Sequence, residues 1–128
     1  MTLAPAELVA SQEDIDGVMR AALDYIDGYV TGDAERHTQA YHPECVKRRY
    51  DKNEKYDIAE LVVLTPQMMT DYAAVTQIQE RDREVIIDAI SQDIASVRIY
   101  SERWVDFLHI VKARGDWKLF HVTWHDRG

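Results

Sequence analysis

The stretch Trp104-Val-Asp-Phe-Leu-His-Ile-Val-Lys-Ala-Arg-Gly-Asp-Trp-Lys-Leu-Phe-His-Val-Thr-Trp124 reads as two β-strands around a tight turn. β-Branched and aromatic residues fill 104–111 and 117–124, and Gly115 supplies the positive φ a turn needs. A three-residue loop of Ala113, Arg114 and Gly115 sets Lys112 opposite Asp116. In that register one face carries Val105, Phe107, His109 and Val111 with Trp117, Leu119, His121 and Thr123. The other carries Trp104, Asp106, Leu108 and Ile110 with Phe120, Val122 and Trp124. Both faces are apolar, so each needs a cover: helices or a ligand on one, another sheet or subunit on the other. Asp106 is a lone carboxylate among the aromatics of the second face.

Outward from this hairpin, the 128 residues are expected to form one domain, 1–128, with a substantial core. Hydrophobic residues make up 46% and charged ones 30%, the balance of a water-soluble chain. A net charge of −8 argues against nucleic acid or an anionic membrane as partner. The single cysteine, Cys45, excludes an internal disulfide and fits a reducing compartment. No apolar run reaches membrane-span length, and the opening residues lack the pattern of a secretion signal, so the expected location is cytoplasmic.

From the N-terminus, residues 1–10 read as a short arm. Ser11 with Asp14 forms a capping-box pattern, and Ile15, Val18, Met19, Ala22, Leu23, Ile26, Tyr29 and Val30 keep the helical period up to Gly32. Tyr25 lies on the shoulder of this stripe. Asp33 is placed to cap a shorter helix with Ala34, His37, Thr38 and Tyr41 on one face, stopped by Pro43. Val46–Tyr50 and Tyr56–Leu64 are strand-like around a polar turn at 51–54, although Ile58–Leu64 also fits a helix. Thr65-Pro66 opens a third helix with Met68, Met69 and Tyr72 inward. Val85–Ile90, a turn at Gln92-Asp93, Ala95–Glu102 and the terminal hairpin make a four-stranded antiparallel meander. Helices followed by a meander predict an α+β fold, with a curved sheet around the first helix and a conical cavity between them.

This order of elements, with Tyr29-Val-Thr-Gly-Asp33, Tyr41-His-Pro-Glu44, Ile94-Ala-Ser-Val97, Trp104 to Lys112 and Gly115-Asp-Trp-Lys-Leu119, resembles the nuclear transport factor 2-like superfamily. Within it the chain is similar to the small SnoaL-like or lumazine-binding-like proteins. The resemblance implies a cone-shaped fold of N-terminal helices on a curved antiparallel sheet. It leaves function open, because the superfamily hosts isomerases, dehydratases, cyclases and binding modules. Set beside the ketosteroid isomerases, Tyr25 matches the tyrosine of their oxyanion hole and Asp106 its protonated carboxylic acid. Tyr41 matches a tyrosine of their hydrogen-bond network, and Phe120, Val122 and Trp124 match the pocket wall. Their aspartate base is replaced by Arg49, which cannot abstract a proton at neutral pH.

These matches and the hairpin register select Tyr25, Tyr41, Arg49, Asp106, Phe120, Val122 and Trp124 as the expected ligand-binding set. The catalytic candidates are Tyr25, Asp106 and His42. An apolar site favours the protonated form of Asp106, which then donates a hydrogen bond to a ligand carbonyl. The competing reading has Asp106 capping backbone or pairing with Arg49 or Arg98. His42, beside Pro43 near the expected cavity mouth, is either an acid–base group or a solvent-facing residue. His37 reads as a satisfied core or dimer-facing residue. Lys47 and Arg49 alternate to one side of their strand. They are either solvated with their stems on the sheet, or, for Arg49, an anion contact in the cavity.

Neither cofactor nor metal is expected. His121 and His125 lie about 13 Å apart on a strand, and His37 and His42 fall on different helix faces. Three functions remain in play. The first is a small-molecule-binding homodimer, with no nucleic-acid or membrane partner, joined through the face of Phe107, His109, Trp117, Leu119 and His121. The second is an isomerase, dehydratase or cyclase acting on a carbonyl compound. The third is an assembly module whose sheet is the functional surface.

Overall fold

Among the described residues, three helices precede or interrupt six strands, and the strands form one sheet. The computed structural model describes residues 10–53, 58–76 and 82–127, and the arm expected before residue 10 lies outside them. Helix α1 runs Gln12–Val30, α2 Ala34–Gln39 and α3 Pro66–Val75; the strands are β1 Tyr41–Asn53, β2 Ile58–Leu64, β3 Arg83–Ser91, β4 Ile94–Ser101, β5 Trp104–Ala113 and β6 Asp116–Asp126. The α+β class and the helix-on-sheet arrangement are as expected. Residues 54–57, which include part of the predicted turn after β1, lie outside the described set.

The helix boundaries follow their caps. Ser11 Oγ accepts from the Asp14 N–H, Asp33 Oδ1 from the Arg36 N–H, and Thr65 Oγ1 from the Met68 N–H. Gly32 takes φ +74° just beyond α1, where a side chain would be strained. The α1 face that is buried contains Val18, Ala21, Ala22, Tyr25, Ile26 and Val30, so Tyr25 sits inside the stripe rather than at its shoulder.

Two local expectations change. Tyr41 opens β1 instead of closing α2, which ends at Gln39. Pro43 then falls in the irregular part of β1 between Tyr41 and Val46, where its missing N–H breaks no regular ladder. In α3 the inward residues are Met69 and Ala73, while Met68 is 37% exposed. Both changes come from tertiary packing, to which a short periodic pattern is blind.

The sheet order is β2-β1-β6-β5-β4-β3. The meander from β3 to β6 is antiparallel, as predicted, and so is the β1–β2 pair. β1 pairs with β6 in parallel, so the sheet is mixed rather than wholly antiparallel. The helices cover one face. Val18 and Ala22 of α1 meet Val97 and Ile99 of β4, Leu108 and Ile110 of β5 and Leu119 of β6, all at most 1% exposed. Truncating one of these leucines to alanine removes about 2–5 kcal/mol, from lost transfer energy and the cavity left behind.

The hairpin differs from its predicted register in two places. Ala113 pairs with Asp116, which leaves a two-residue turn of Arg114 at φ +53° and Gly115 at φ +86°. Paired positive φ values give the turn whose twist suits the strands. Ile110 then faces Leu119 while His109 faces His121, so Phe120 is an extra residue in a β-bulge. The tighter turn reverses the facing of residues 117–119, and the bulge restores the expected alternation from His121 on. Trp117 and Leu119, expected on the outer face, lie buried under the helices, on the same side as Val122. The interface predicted from Phe107, His109, Trp117, Leu119 and His121 therefore loses two of its members. Phe107, His109 and His121 remain outside.

Candidate functional site

Between α1, α3 and the sheet lies a pocket of about 290 Å³. It draws Tyr25, Ile26 and Tyr29 from α1, Lys47 and Arg49 from β1, Leu64 from β2, Met69 and Tyr72 from α3, Trp104 and Asp106 from β5, and Trp124 from β6. Helical spacing puts Tyr25 and Tyr29 one turn apart on the face turned to the sheet. Strand alternation puts Lys47 and Arg49 on one side, and cross-strand pairing sets Asp106 opposite Trp124.

At its floor three polar groups form a relay. Lys47 Nζ donates to Tyr25 Oη at 2.6 Å, and Tyr25 Oη donates to Asp106 Oδ1 at 2.7 Å. The three residues are 5%, 3% and 2% exposed. Desolvation pushes the Asp106 carboxyl up from its ordinary range, although Lys47 and the Tyr25 hydroxyl partly offset it. Desolvation also brings Lys47 down to about 8, against the pull of Asp106. The Tyr25 phenol is raised, by burial first and then by the Asp106 charge. Burial thus works against charge on both ends of the relay, and each end restores part of the other's.

A second layer fixes Tyr25. His37 is fully buried; its Nδ1 lies 2.7 Å from the Tyr25 carbonyl oxygen and its Nε2 3.0 Å from Tyr41 Oη. A carbonyl only accepts, so Nδ1 carries the proton and Nε2 accepts from Tyr41. Desolvation lowers His37 to about 4, which keeps the ring neutral in this role. The His37 ring stacks on Tyr25 at 5.3 Å.

The pocket wall is aromatic. Trp104 meets Tyr29 edge-on at 5.7 Å and Trp124 at 6.5 Å. Lys47 Nζ and the Arg49 guanidinium carbon each lie 5.3 Å from the Trp124 ring centroid. The indole Nε1 of Trp124 is buried without a hydrogen-bond partner among the described residues.

Of the sequence-selected residues, Tyr25, Arg49, Asp106 and Trp124 converge on this pocket. Tyr41 is buried behind Tyr25, edge-on at 5.9 Å, and acts through His37 instead of lining the pocket. Val122 is buried under the helices but is not among the lining residues. Phe120 is a correction: the bulge takes its ring away to His42 and His121, at 5.3 and 4.7 Å. His42 is half-buried outside the pocket, where its Nδ1 accepts from the Glu44 N–H. Lys47, read above as a solvated side chain, is the cation that reaches Tyr25. Arg98, the other proposed partner of Asp106, pairs with Asp88 at 2.8 Å instead.

Cys45 is a buried thiol, pushed up to about 12 by desolvation, and therefore unreactive. His109 and His121 bring their Nδ1 atoms to 3.4 Å on the outer face. Among the described residues no three His, Cys, Asp or Glu side chains cluster to hold a metal, and no helix is long and apolar enough to cross a membrane. A larger depression of about 650 Å³ lies over Phe107, His109 and His121. Its main charged pair, Arg98 with Asp88, is already satisfied. The helix-side pocket is the better candidate because its polar groups are buried and perturbed.

Comparison with known proteins agrees with this architecture. Residues 13–125 match the model of the family described as "Putative lumazine-binding". A solved NTF2-like protein of unknown function from Shewanella baltica OS155 is 16% identical, with 94% of this chain and 98% of that one aligned at a TM-score of 0.75. Another from Methylobacillus flagellatus KT is 18% identical over 95% and 98%, with a TM-score of 0.75. A ketosteroid isomerase-like protein from Erwinia carotovora atroseptica SCRI1043 is 13% identical over 92% and 99%, at 0.63. At such identities the structures share the fold alone. No protein of curated function matches the sequence. The chain belongs to this lumazine-binding-like family, and it shares its fold with the NTF2-like structures.

Proposed function

We propose that the pocket binds a small organic molecule through an acceptor oxygen, with protonated Asp106, held by the Tyr25 hydroxyl, as donor and the Trp104–Trp124 wall holding a planar body. The observation that carries this reading is the buried Lys47–Tyr25–Asp106 relay at the floor of an aromatic pocket. Proteins do not commonly bury three ionisable groups beside a cavity for stability, since each pays desolvation. The Trp124 N–H, without a partner among the described residues, offers a further donor. The family's description makes lumazine, a planar heterocycle with ring carbonyls, the first ligand to try. Titration of the purified chain should quench tryptophan fluorescence saturably, and Tyr25→Phe should weaken binding about fivefold to tenfold by removing the one hydrogen bond that holds Asp106. Mass spectrometry of small molecules retained through purification tests the reading without a chosen ligand. A protein that retains nothing and responds to no planar carbonyl compound would remove it.

Catalysis like that of the ketosteroid isomerases is not part of this reading. The position of their base is held by Arg49, and His42 lies outside the pocket. The expected outcome is no isomerisation of conjugated-ketone precursors; turnover that survives Tyr25→Phe would sink the assignment.

A homodimer through the outer face of β4–β6 is part of the same proposal, favoured by Phe107 at 51% exposure in the middle of a sheet. Sedimentation should give twice the monomer mass, and Phe107→Glu should lower it. The tighter turn makes Leu119 useless for this test, because it faces the helices.

A further inference from the structure

We propose that Lys47 is a nucleophile that captures an aldehyde or ketone bound in the helix-side pocket as an imine, with Tyr25 and Asp106 relaying its proton. The proposal rests on the pocket being a ligand site and names the ligand class and the bond formed.

Three geometric facts carry it. Lys47 lines the pocket yet is 5% exposed, so its amine faces a cavity rather than bulk water. Its Nζ lies over the rings of Tyr25 and Trp124, at 4.8 and 5.3 Å, beside the space a planar carbonyl compound would occupy. Its hydrogen bond leads through one phenol to one carboxylate. A proton passed from Lys47 to Tyr25 Oη, with the phenol proton passed to Asp106, leaves an uncharged amine, an intact phenol and a neutral carboxylic acid. No charge crosses to solvent, and the apolar surroundings lower the cost of reaching that neutral arrangement.

The chemistry then balances within the site. The amine lone pair adds to the carbonyl carbon, and the proton that the nitrogen then sheds passes to the carbonyl oxygen to give a carbinolamine. Loss of water, with a proton returned by Asp106 through Tyr25, leaves an iminium on Lys47 and a carboxylate on Asp106. In total, ammonium and carbonyl give iminium and water, and the Asp106 carboxylate stands beside the new cation as it stood beside the ammonium. No oxidant, reductant or further reactant enters. A neutral amine near pH 8 gives this lysine an advantage over surface lysines.

The groups around Lys47 come from each neighbouring element. Tyr25 faces it from α1, Asp106 from β5, and Cys45 and Arg49 lie two residues away on β1. His37 of α2 feels its charge, and His125 of β6 that of Asp106. Cys45 stays protonated and His37 neutral near neutrality, so burial, opposed chiefly by Asp106, sets the Lys47 charge there.

The test is reductive trapping on the full chain with benzaldehyde and sodium cyanoborohydride, read by intact mass and peptide mapping. One benzyl adduct should form on Lys47 at least about tenfold faster than on Lys112 or Lys118 at pH 7, following the larger neutral fraction of the amine. Its rate should rise with pH around a midpoint of about 8. Tyr25→Phe should slow it by roughly a hundredfold, the loss of a positioned acid–base group. Lys47→Arg, which keeps the charge, should abolish it. Adducts on Lys112 and Lys118 with Lys47 untouched would overturn the proposal. Benzyl alcohol, which cannot form an imine, separates the two readings. Saturable quenching by benzyl alcohol without a Lys47 adduct from benzaldehyde leaves the pocket standing and removes the imine. Neither signal removes both.

Discussion

Two lysine–aspartate pairs, each joined by an aromatic donor, sit about 16 Å apart along α1, and they behave oppositely. At the first turn Lys112 Nζ and Trp117 Nε1 both donate to Asp14 Oδ1, at 3.0 and 3.2 Å. Eleven residues on, Lys47 donates to Tyr25 and Tyr25 to Asp106. The first pair is partly open to solvent, with side chains 34% and 23% exposed. The Lys112 bond lowers Asp14, Asp14 raises Lys112, and both groups prefer charge. The second pair is buried and bridged, burial raises Asp106 and lowers Lys47, and both are pushed toward neutrality. The same residue types thus make a structural tie in one place and a chemical site in the other. Solvent access and the inserted phenol make the difference.

The sharpest way to break this contrast is Asp106→Leu, which strands a buried ammonium and should cost about 3–5 kcal/mol. Combining it with Lys47→Met should recover most of that loss, measured by urea unfolding. A double variant as unstable as the single would mean that the pair itself is needed for the fold. Next is acid stability. His37 titrates at about 4 in the fold against an ordinary 6.5, so the unfolded chain binds more protons between those values. Stability should therefore fall as pH drops from 6.5 to 4, by up to about 3 kcal/mol from His37. Asp106, raised in the fold, acts with the opposite sign in acid and shortens the net fall. His37→Gln should flatten the curve in that window; an unchanged curve would show that the ring is not what acid attacks.

At the exposed end the packing of Trp117 should matter more than the ion pair. A Cβ on Gly17 would collide with the indole, so Gly17→Ala should lose about 1–3 kcal/mol despite alanine's better helix propensity. A stabilised variant would show that Trp117 swings aside. The smallest effect belongs to Lys112→Gln, which should leave the thermal midpoint almost where it was. A large drop there would erase the distinction between the two pairs.

The hairpin, the first-helix stripe and the helix caps were legible because period, cap and turn signals reinforce one another at 11–32 and 85–124. The meeting of Tyr25 with Asp106 followed from two independent periodicities. The bulge at Phe120 left no mark in sequence, since residues on both sides of it are apolar and either parity buries something. The tighter turn moved Trp117 and Leu119 inward, and the bulge set Phe120 away from the pocket and returned Trp124 to its expected side opposite Asp106. Lys47 was hidden for another reason. Lysine is seldom fully buried, so its alternation with Arg49 indicated a side of the strand but not a depth. Tyr41 was drawn into α2 by spacing from His37 that the strand also satisfies, since His37 Nε2 still meets its hydroxyl.

The parallel seam between β1 and β6 has a consequence for the order in which the molecule assembles. Lys47 aligns with Val122 and Arg49 with Trp124, across some seventy residues of intervening chain. The relay therefore cannot close by local zipping. Strands β3 to β6 can pair neighbour to neighbour, and so can β1 with β2, whereas the other edge of β1 must wait for distant β6, and such encounters are slow. Pulse-labelled refolding should show the β1 amides that bond β6 gaining protection only after, or together with, those of the β5–β6 hairpin, and earlier protection of that seam would contradict this. Until that late step β1 carries an open strand edge, so the interval before closure is when the chain is most prone to aggregate.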